Sequence, residues 1–224
     1  MTLKDILISG KLTISEGGGG GGDVDGIVDR SYTGALTLNT ATNFGYGCFA
    51  DMETSIDITA TVATEIKERA FWYSKNLSRL YAPEVTKIGN SSFQYCGVNT
   101  GLSDTVIVLP KLATISSRAN FDRGNFKAID LGPNLSALSP DCFYHNTGLQ
   151  TVNALILRKS DAVVTTPSTN AINGLRDVYV PSSLISSYEA AANWAEQVTG
   201  GYITFHAIEG SIYENAYADG TPIA

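Results

Sequence analysis

The chain has 224 residues, enough for one or two domains with a sizeable core, and 43% are hydrophobic, which excludes a largely disordered protein. The net charge is −7 and the fifteen lysines and arginines are scattered singly, so the clustered positive charge of a nucleic-acid binder is missing. Only 17% of the residues are charged, so serine, threonine, asparagine and glycine must cover much of the surface.

The first residues predict that the protein does not leave the cell by general secretion. Only three apolar residues, Ile6-Leu7-Ile8, follow the first charged residues, whereas an export signal needs roughly 7–15. No stretch approaches the roughly 18 apolar residues of a membrane span. Neither secretion nor membrane insertion is therefore expected.

Residues 1–16 predict a small hairpin in which residues 3–8 pair with residues 11–15. Such a hairpin does not fold alone. Residues 17–22 are all glycine, which loses the most backbone entropy on ordering, so we expect a flexible linker of roughly 12–15 Å. The hairpin is then a docking peg, and the alternative is a frayed N-terminus without a role. The apolar docking side chains of this peg would be Leu3, Ile6, Ile8, Leu12 and Ile14.

Residues 23–45 predict one or two strands that cap the first repeat, with residues 35–38 as the clearest strand. Asp23, Asp25 and Asp29 give this segment a partial similarity to a calcium loop. A calcium loop also needs a third oxygen position, a correctly placed glycine and a closing glutamate, which are missing here. We interpret the segment as a solvated acidic linker and expect no metal.

An internal repeat organises residues 46–181. Phenylalanine recurs at separations of 22, 22, 28 and 22 residues. One unit buries about five or six large apolar side chains at roughly 1.5–3 kcal/mol each, whereas ordering its backbone costs on the order of 20–40 kcal/mol. Single units therefore cannot fold and must stack into a solenoid. The recurring residues are Phe49, Phe71, Phe93, Phe121 and Phe143.

This pattern resembles the BspA-type leucine-rich repeat. The resemblance departs from the family pattern at residues 97–105, where a loop is longer, and at residues 157–175, where the pattern dissolves. It implies a right-handed leucine-rich-repeat stack of short parallel strands and loops, and the alternative is a chance hydrophobic pattern. The matching stretches are Ile66-Lys67-Glu68-Arg69-Ala70-Phe71, Leu77-x2-Leu80-x-Ala82-Pro83 and Ile88-Gly89-Asn90-Ser91-Ser92-Phe93-x2-Cys96.

Residues 182–224 predict a C-terminal cap made of a helix and a strand. Serines that can cap a helix precede apolar residues at helical spacing, which predicts a helix over 183–197. Alternating apolar residues then predict a strand over 202–208, and a solenoid needs such an element to cover its last repeat. Residues 179–194 also resemble a module that closes such repeats in tail-associated proteins of phages and prophages from gut bacteria.

No enzyme is predicted. The sequence has no G-x-S-x-G, no phosphate-binding glycine loop ending in Lys-Ser or Lys-Thr, and no H-E-x-x-H. His145 and His206 have no obvious nucleophile or ligand partner. Cys48, Cys96 and Cys142 lack C-x-x-C spacing and are expected to be buried free thiols. We expect no catalytic residue, metal or cofactor.

Binding is expected from the faces of the stack, because aromatic faces stack on sugar rings while carboxylates and amides bind hydroxyls. Ordinary surface or partly buried packing is the alternative for both candidate rows. The first, the strand row, points outward from the strands and consists of Asp57, Tyr81, Val108, Asp130, Asn153 and Tyr179. The second, the loop row, follows the phenylalanines and consists of Trp72, Tyr73, Tyr95, Tyr144 and His145.

The resulting expectation is a non-enzymatic virion protein of a phage or prophage. Residues 1–16 would bind other virion proteins, and the repeat surface would adhere to a host-surface protein or glycan, with no nucleic acid as partner. Phage particles assemble in the cytoplasm and leave by lysis, so their proteins need no export signal. The alternatives are a purely architectural decoration protein and a bacterial cell-surface adhesin. Particle proteins of this kind are often trimers, although no heptad here sets an oligomeric state.

Overall fold

A computed structural model of the chain describes residues 30–98, 105–116, 120–144 and 151–215, together with the strand backbones of residues 13–15 and 22–25. The strands of this part of the chain are β1 (Thr13–Ser15), β2 (Gly22–Asp25), β3 (Gly34–Leu38), β4 (Ala41–Phe44), β5 (Ile56–Ala60), β6 (Glu65–Ile66), β7 (Leu77–Tyr81), β8 (Lys87–Ile88), β9 (Val106–Leu109), β10 (Thr114–Ile115), β11 (Phe126–Leu131), β12 (Val152–Leu157), β13 (Leu175–Val180) and β14 (Thr204–Ala207).

The larger sheet is parallel throughout and has the strand order β14-β13-β12-β11-β9-β7-β5-β3. Each repeat adds its strand beside that of the repeat before it, so the predicted solenoid of short parallel strands is confirmed. A parallel sheet buried on its inner face needs an apolar residue from every strand at the same register. These residues are Leu36, Ile58, Leu80, Ile107, Ile129, Leu155, Val178 and Phe205.

A smaller sheet follows the order β1-β2-β4-β6-β8-β10. From β2 onward its strands pair in parallel, and several are only two residues long. Their apolar residues, such as Phe44, Ile66 and Ile88, belong to the same buried core as the inward residues of the larger sheet. The core therefore fills the space inside each coil of the chain.

The recurring phenylalanines form a continuous column inside the stack. Successive rings from Phe49 to Phe143 have centroids 5.3, 5.2, 5.2 and 5.3 Å apart, with planes inclined by 5°, 5°, 4° and 13°. Backbone hydrogen bonds hold this alignment, since the Phe71 N–H donates to the Ser92 carbonyl and the Phe93 N–H to the Asn120 carbonyl, both at 2.9 Å. The longer third repeat leaves the column uninterrupted between Phe93 and Phe121.

Beyond the glycine run, whose residues 17–21 lie outside the described residues, the structure shows a strand pairing that the sequence did not predict. β1 pairs antiparallel with β2, with Thr13 opposite Asp25, and β2 continues in parallel beside β4. Residues 13–15 therefore extend the smaller sheet, and Gly22 lies within a strand, because ladder hydrogen bonds need only the backbone. All five expected docking side chains lie outside the described residues, namely those of Leu3, Ile6, Ile8, Leu12 and Ile14.

The solenoid continues through residues 157–175, where the sequence pattern dissolves. Ala137 forms a parallel bridge with Thr165, and the Phe143 N–H donates to the Ala171 carbonyl at 3.1 Å. A 3-10 turn at Thr169–Ile172 buries Ile172, which follows the phenylalanine column at the equivalent position. The coil is thus maintained by its backbone although the consensus residues are absent.

The cap contains two short helices where the sequence predicts one. A 3-10 turn (Ser182–Leu184) leads into α1 (Ile185–Ala190), and α2 follows (Trp194–Thr199). The helical conformation is interrupted between them, where Asn193 has a φ of 67°. On a continuous helix Tyr188 and Trp194 would lie about 120° apart around the axis. The break brings both rings into the core, where the Tyr188 hydroxyl accepts from the Val164 N–H at 2.9 Å.

Candidate functional site

The outer face of the larger sheet places most of the strand row in one register. Asp57 lies two residues before Thr59, which holds the row position on its strand, and it forms an ion pair at 3.6 Å with Arg79 beside it. Asn153 is not part of the row, because it precedes Ala154, and Ile156 takes the position instead. The residues in register are Thr59, Tyr81, Val108, Asp130, Ile156, Tyr179 and His206.

The chain itself covers the centre of this face. Val108, Asp130 and Ile156 are at most 2% exposed, and the first and third pack in one apolar cluster with Ile208 and Tyr213. We call residues 208–215 the C-terminal strap. The expectation of an open strand row is therefore wrong at its centre. Apart from Asp130, the outer positions there are aliphatic, and they are buried for the same reason as the inner ones.

A buried ion pair fastens the strap. The Asp130 carboxylate accepts hydrogen bonds from Arg158 Nε at 2.9 Å and from Arg158 Nη2 at 2.7 Å. The same guanidinium donates to the Tyr213 carbonyl at 2.7 Å and to the Glu214 carbonyl at 3.3 Å. Burial raises the pKa of Asp130, while the hydrogen bonds and charge of Arg158 oppose that rise. The Asp130 carboxylate is thus used within the fold.

The tyrosines of the strand row lie on either side of the covered centre. The Tyr179 ring packs 4.5 Å from the Tyr213 ring and 5.0 Å from the His206 imidazole, measured between centroids. His206 Nε2 lies 2.7 Å from Asp177 Oδ1. Tyr81 packs against the same apolar cluster as a partly buried residue. These rings support the strap, so the alternative of partly buried packing describes this row.

The loop row is organised differently. Asp51, Tyr73, Tyr95 and Arg123 each stand two residues after a phenylalanine of the column, and we call these four residues the turn ladder. The Tyr73 and Tyr95 rings are 4.2 Å apart, and the Arg123 guanidinium lies 5.4 Å from the Tyr95 ring and donates to its hydroxyl. This hydrogen bond raises the pKa of Arg123, whose guanidinium gives the ladder a permanent positive charge.

Trp72 and Tyr144 belong to a neighbouring register, one residue after the phenylalanines. The Trp72 indole packs 4.3 Å from the Tyr73 ring and donates to Gln94 Oε1 at 3.2 Å. Gln94 Nε2 in turn donates to Asp122 Oδ2 at 2.7 Å. The loop row therefore separates into an aromatic ladder and a hydrogen-bonded chain beside it. His145 lies outside the described residues.

The backbone of the turn ladder is left-handed, as it also is at Arg69, Ser91 and Asp141 in the same turns. Its four residues have φ between 53° and 62°, the left-handed region that favours glycine. Such a conformation costs a non-glycine residue roughly 1–2 kcal/mol. Bonds between repeats hold it in place, since the Tyr73 N–H donates to the Gln94 carbonyl at 2.9 Å and the Tyr95 N–H to the Asp122 carbonyl at 3.0 Å.

Three cations of this surface are not predicted by the sequence pattern. Arg69 lies 5.8 Å from the Trp72 ring, and Lys75 Nζ lies 5.2 Å from the Tyr73 ring. Arg123 completes the group. The repeat spacing could have indicated only Arg123, because it stands two residues after a column phenylalanine, as Tyr73 and Tyr95 do. The other two reach the rings from positions that no repeat spacing marks.

The comparisons with known proteins agree with this geometry. The family model for the BspA type leucine rich repeat region matches residues 33–99 and 64–197, with six copies. Neither the curated proteins nor the solved structures gave a match. Among the described residues, no group of three or more histidines, cysteines and carboxylates is placed to hold a metal ion, and no helix is long and apolar enough to cross a bilayer. The matched residues span well over half of the chain, which therefore belongs to the BspA-type leucine-rich-repeat family.

Proposed function

We propose that the protein is a non-enzymatic adhesion protein of a phage or prophage particle and that it binds a host-surface protein or glycan through the turn ladder. Family membership indicates a protein-interaction or adhesion role. The particle assignment is supported by the resemblance of residues 179–194 to modules that close such repeats in phage tail-associated proteins. Anchoring would use residues 1–16, which would contact other virion proteins from the edge of the smaller sheet where β1 lies.

The observation that carries the binding role is the stacking of Tyr73 on Tyr95 next to the cations Lys75 and Arg123. The left-handed backbone recurs in the same turns at Arg69, Ser91 and Asp141, so it positions side chains throughout the stack and does not by itself mark a site. Stacked tyrosines beside cations form a surface that suits both sugar rings and aromatic peptides. The strand row is the weaker candidate, because the strap covers its centre.

Binding of the labelled full chain to host cells tests the role of the turn ladder. We expect the pair of substitutions Tyr73→Ser and Tyr95→Ser to weaken binding at least tenfold. The matched pair Tyr81→Ser and Tyr179→Ser should change binding less than threefold, and circular dichroism should show a folded chain for both. Unchanged binding in the first pair would support the architectural alternative instead.

Association with particles is tested by deleting residues 1–16. Mass spectrometry of purified virions should detect the intact chain, whereas the shortened chain should be absent from virions and still bind host cells. A protein that never co-purifies with virions, and is found in the envelope fraction of the bacterium, would instead be a cell-surface adhesin.

A further inference from the structure

We propose that an open cleft beside Tyr73 is a binding site for an uncharged, hydroxyl-rich saccharide. This inference rests on the proposed adhesion function and narrows it to one ligand class. The cleft has a volume of about 410 Å³, within the range of small-molecule sites. Its polar lining consists of Arg30, Asp51, Glu53, Tyr73, Lys75 and Asn76.

The cleft exists because the turn ladder changes residue type at its first position. Between Tyr73 and Tyr95 the ring centroids are only 4.2 Å apart, so the two side chains fill the space between their repeats. Asp51 holds the equivalent place one repeat earlier, and its N–H donates to the Trp72 carbonyl at 2.9 Å. Its short carboxylate leaves the space beside Tyr73 open.

The walls of the cleft are held before any ligand arrives. Arg30 Nη2 lies 3.3 Å from Asp51 Oδ2, and the Glu53 N–H donates to the Arg30 carbonyl at 3.0 Å. Asn76 Nδ2 donates to the Glu53 carbonyl at 2.7 Å. A site ordered in this way loses little conformational entropy on binding.

Two charged groups of the cleft remain available to a ligand. Within the described part of the chain, the Glu53 carboxylate and the Lys75 ammonium have no hydrogen-bond or ion-pair partner. The ammonium lies above the Tyr73 ring, with 5.2 Å between Nζ and the ring centroid. The cleft thus offers a free acceptor, a free donor and an aromatic wall next to each other.

This combination matches the hydroxyl groups of a sugar. Each hydroxyl donates one hydrogen bond and accepts others, so it can use a carboxylate and an ammonium at once. The two cations and two carboxylates of the lining give no net charge. A charged ligand would be attracted by the residues of opposite charge and repelled by those of like charge, so the cleft favours an uncharged one. The apolar face of a sugar ring can contact Tyr73.

The test uses the full chain and defined probes. Saturation-transfer NMR and calorimetry are carried out with lactose, maltose and cellobiose as neutral probes and sialyllactose as the charged comparison. We expect at least one neutral disaccharide to bind, and Glu53→Gln or Lys75→Gln to weaken that binding at least fivefold. The control is Glu84→Gln or Lys111→Gln, since these exposed residues form an ion pair at 2.7 Å elsewhere, and binding should then stay within twofold.

Three outcomes would overturn the saccharide site while leaving the adhesion function standing. The first is host-cell binding without binding of any neutral probe. The second is preferential binding of sialyllactose. The third is neutral-sugar binding that Tyr95→Ser lowers and Glu53→Gln does not. A chain that binds neither host cells nor any probe would contradict the adhesion function as well.

Discussion

Single residues of the phenylalanine column illustrate how the stack is stabilised. Each ring between Phe71 and Phe121 contacts a ring from the repeat before it and one from the repeat after it. All of these rings are fully buried. The free energy that one ring contributes therefore depends on both neighbouring repeats, as expected for a linear array.

Replacement of Phe93 by alanine tests this coupling. The substitution leaves a cavity between two repeats, so the free energy of unfolding should fall by about 3–5 kcal/mol in urea denaturation. Tyr202→Ala is the control, since this ring is 68% exposed and its removal should cost about 0.5 kcal/mol or less. If Phe93→Ala lowers the free energy of unfolding by less than about 1 kcal/mol, the ring does not couple its two neighbouring repeats.

Buried thiols make the fold sensitive to alkaline pH. Burial raises the pKa of Cys142 to about 12 and raises the pKa of Cys96 far above its ordinary range. In the unfolded chain a thiol ionises near pH 8.5, so above that pH the unfolded state has lost protons that the folded state keeps. The stability is therefore complete below about pH 8.5 and decreases as the pH rises toward the folded pKa.

The substitution Cys142→Ala isolates one of these thiols. Alanine suits the site, because Ala70 holds the equivalent position before Phe71. Between pH 9 and 10 the free energy of unfolding should fall less steeply than in the unsubstituted chain, by roughly 1 kcal/mol per pH unit. Urea denaturation at several pH values measures this slope. Equal slopes in the two proteins would show that the Cys142 thiol is not protected.

At the scale of elements, the break between α1 and α2 closes the stack. It allows Trp194 to donate from Nε1 to the Val164 carbonyl at 3.0 Å while the Tyr188 ring packs 5.7 Å from the indole. Asn193 stabilises the break through its Nδ2, which donates to the Thr166 carbonyl at 2.9 Å. Its φ of 67° together with ψ of −37° is a backbone conformation that favours glycine.

Substitutions of Asn193 separate the stabilisation by its side-chain hydrogen bond from the cost of its backbone conformation. Asn193→Ala loses the hydrogen bond and strains the backbone, so unfolding should become easier by about 2 kcal/mol. Asn193→Gly loses the hydrogen bond and keeps the favourable φ, so its cost should be about half as large. Thermal and urea denaturation provide the comparison. Equal losses would mean that the left-handed conformation costs alanine nothing at this position.

Across the whole molecule, the strap joins residues that are far apart in the chain. Arg158 on one coil links Asp130 on the preceding coil to the carbonyls of Tyr213 and Glu214. The outer sheet face is thereby covered over strands β9, β11 and β12. Covering this face protects an aliphatic surface that would otherwise promote association.

The substitution Arg158→Gln tests the fastening of the strap. It leaves the Asp130 carboxylate buried without its cation, which should cost about 3–5 kcal/mol of unfolding free energy. The double variant with Asp130→Asn should recover part of that loss. The exposed pair of Lys111 and Glu84 serves as the control, because Lys111→Gln should cost about 1 kcal/mol or less. A small effect of Arg158→Gln, without increased binding of a hydrophobic dye, would contradict this role.

The sequence by itself determined the repeat, the column and the existence of a cap. A stack of equivalent coils places the residues at the same position of each repeat directly above one another. The alignment of Phe71, Phe93 and Phe121 therefore follows from the sequence alone. The same spacing explains why the tyrosines of the turn ladder were found. Periodicity is a property of the chain, and a parallel stack converts it directly into contacts.

Only the tertiary structure decided which of these surfaces is open. No spacing indicates that residues 208–215 return across the outer sheet face, because the Arg158 and Tyr213 contact joins residues 55 positions apart. Likewise, β1 joins the smaller sheet through backbone pairing that leaves no side-chain signal. The strand row therefore became a buried support for the strap, while the turn ladder and its cleft remained accessible, since burial depends on contacts between distant parts of the chain.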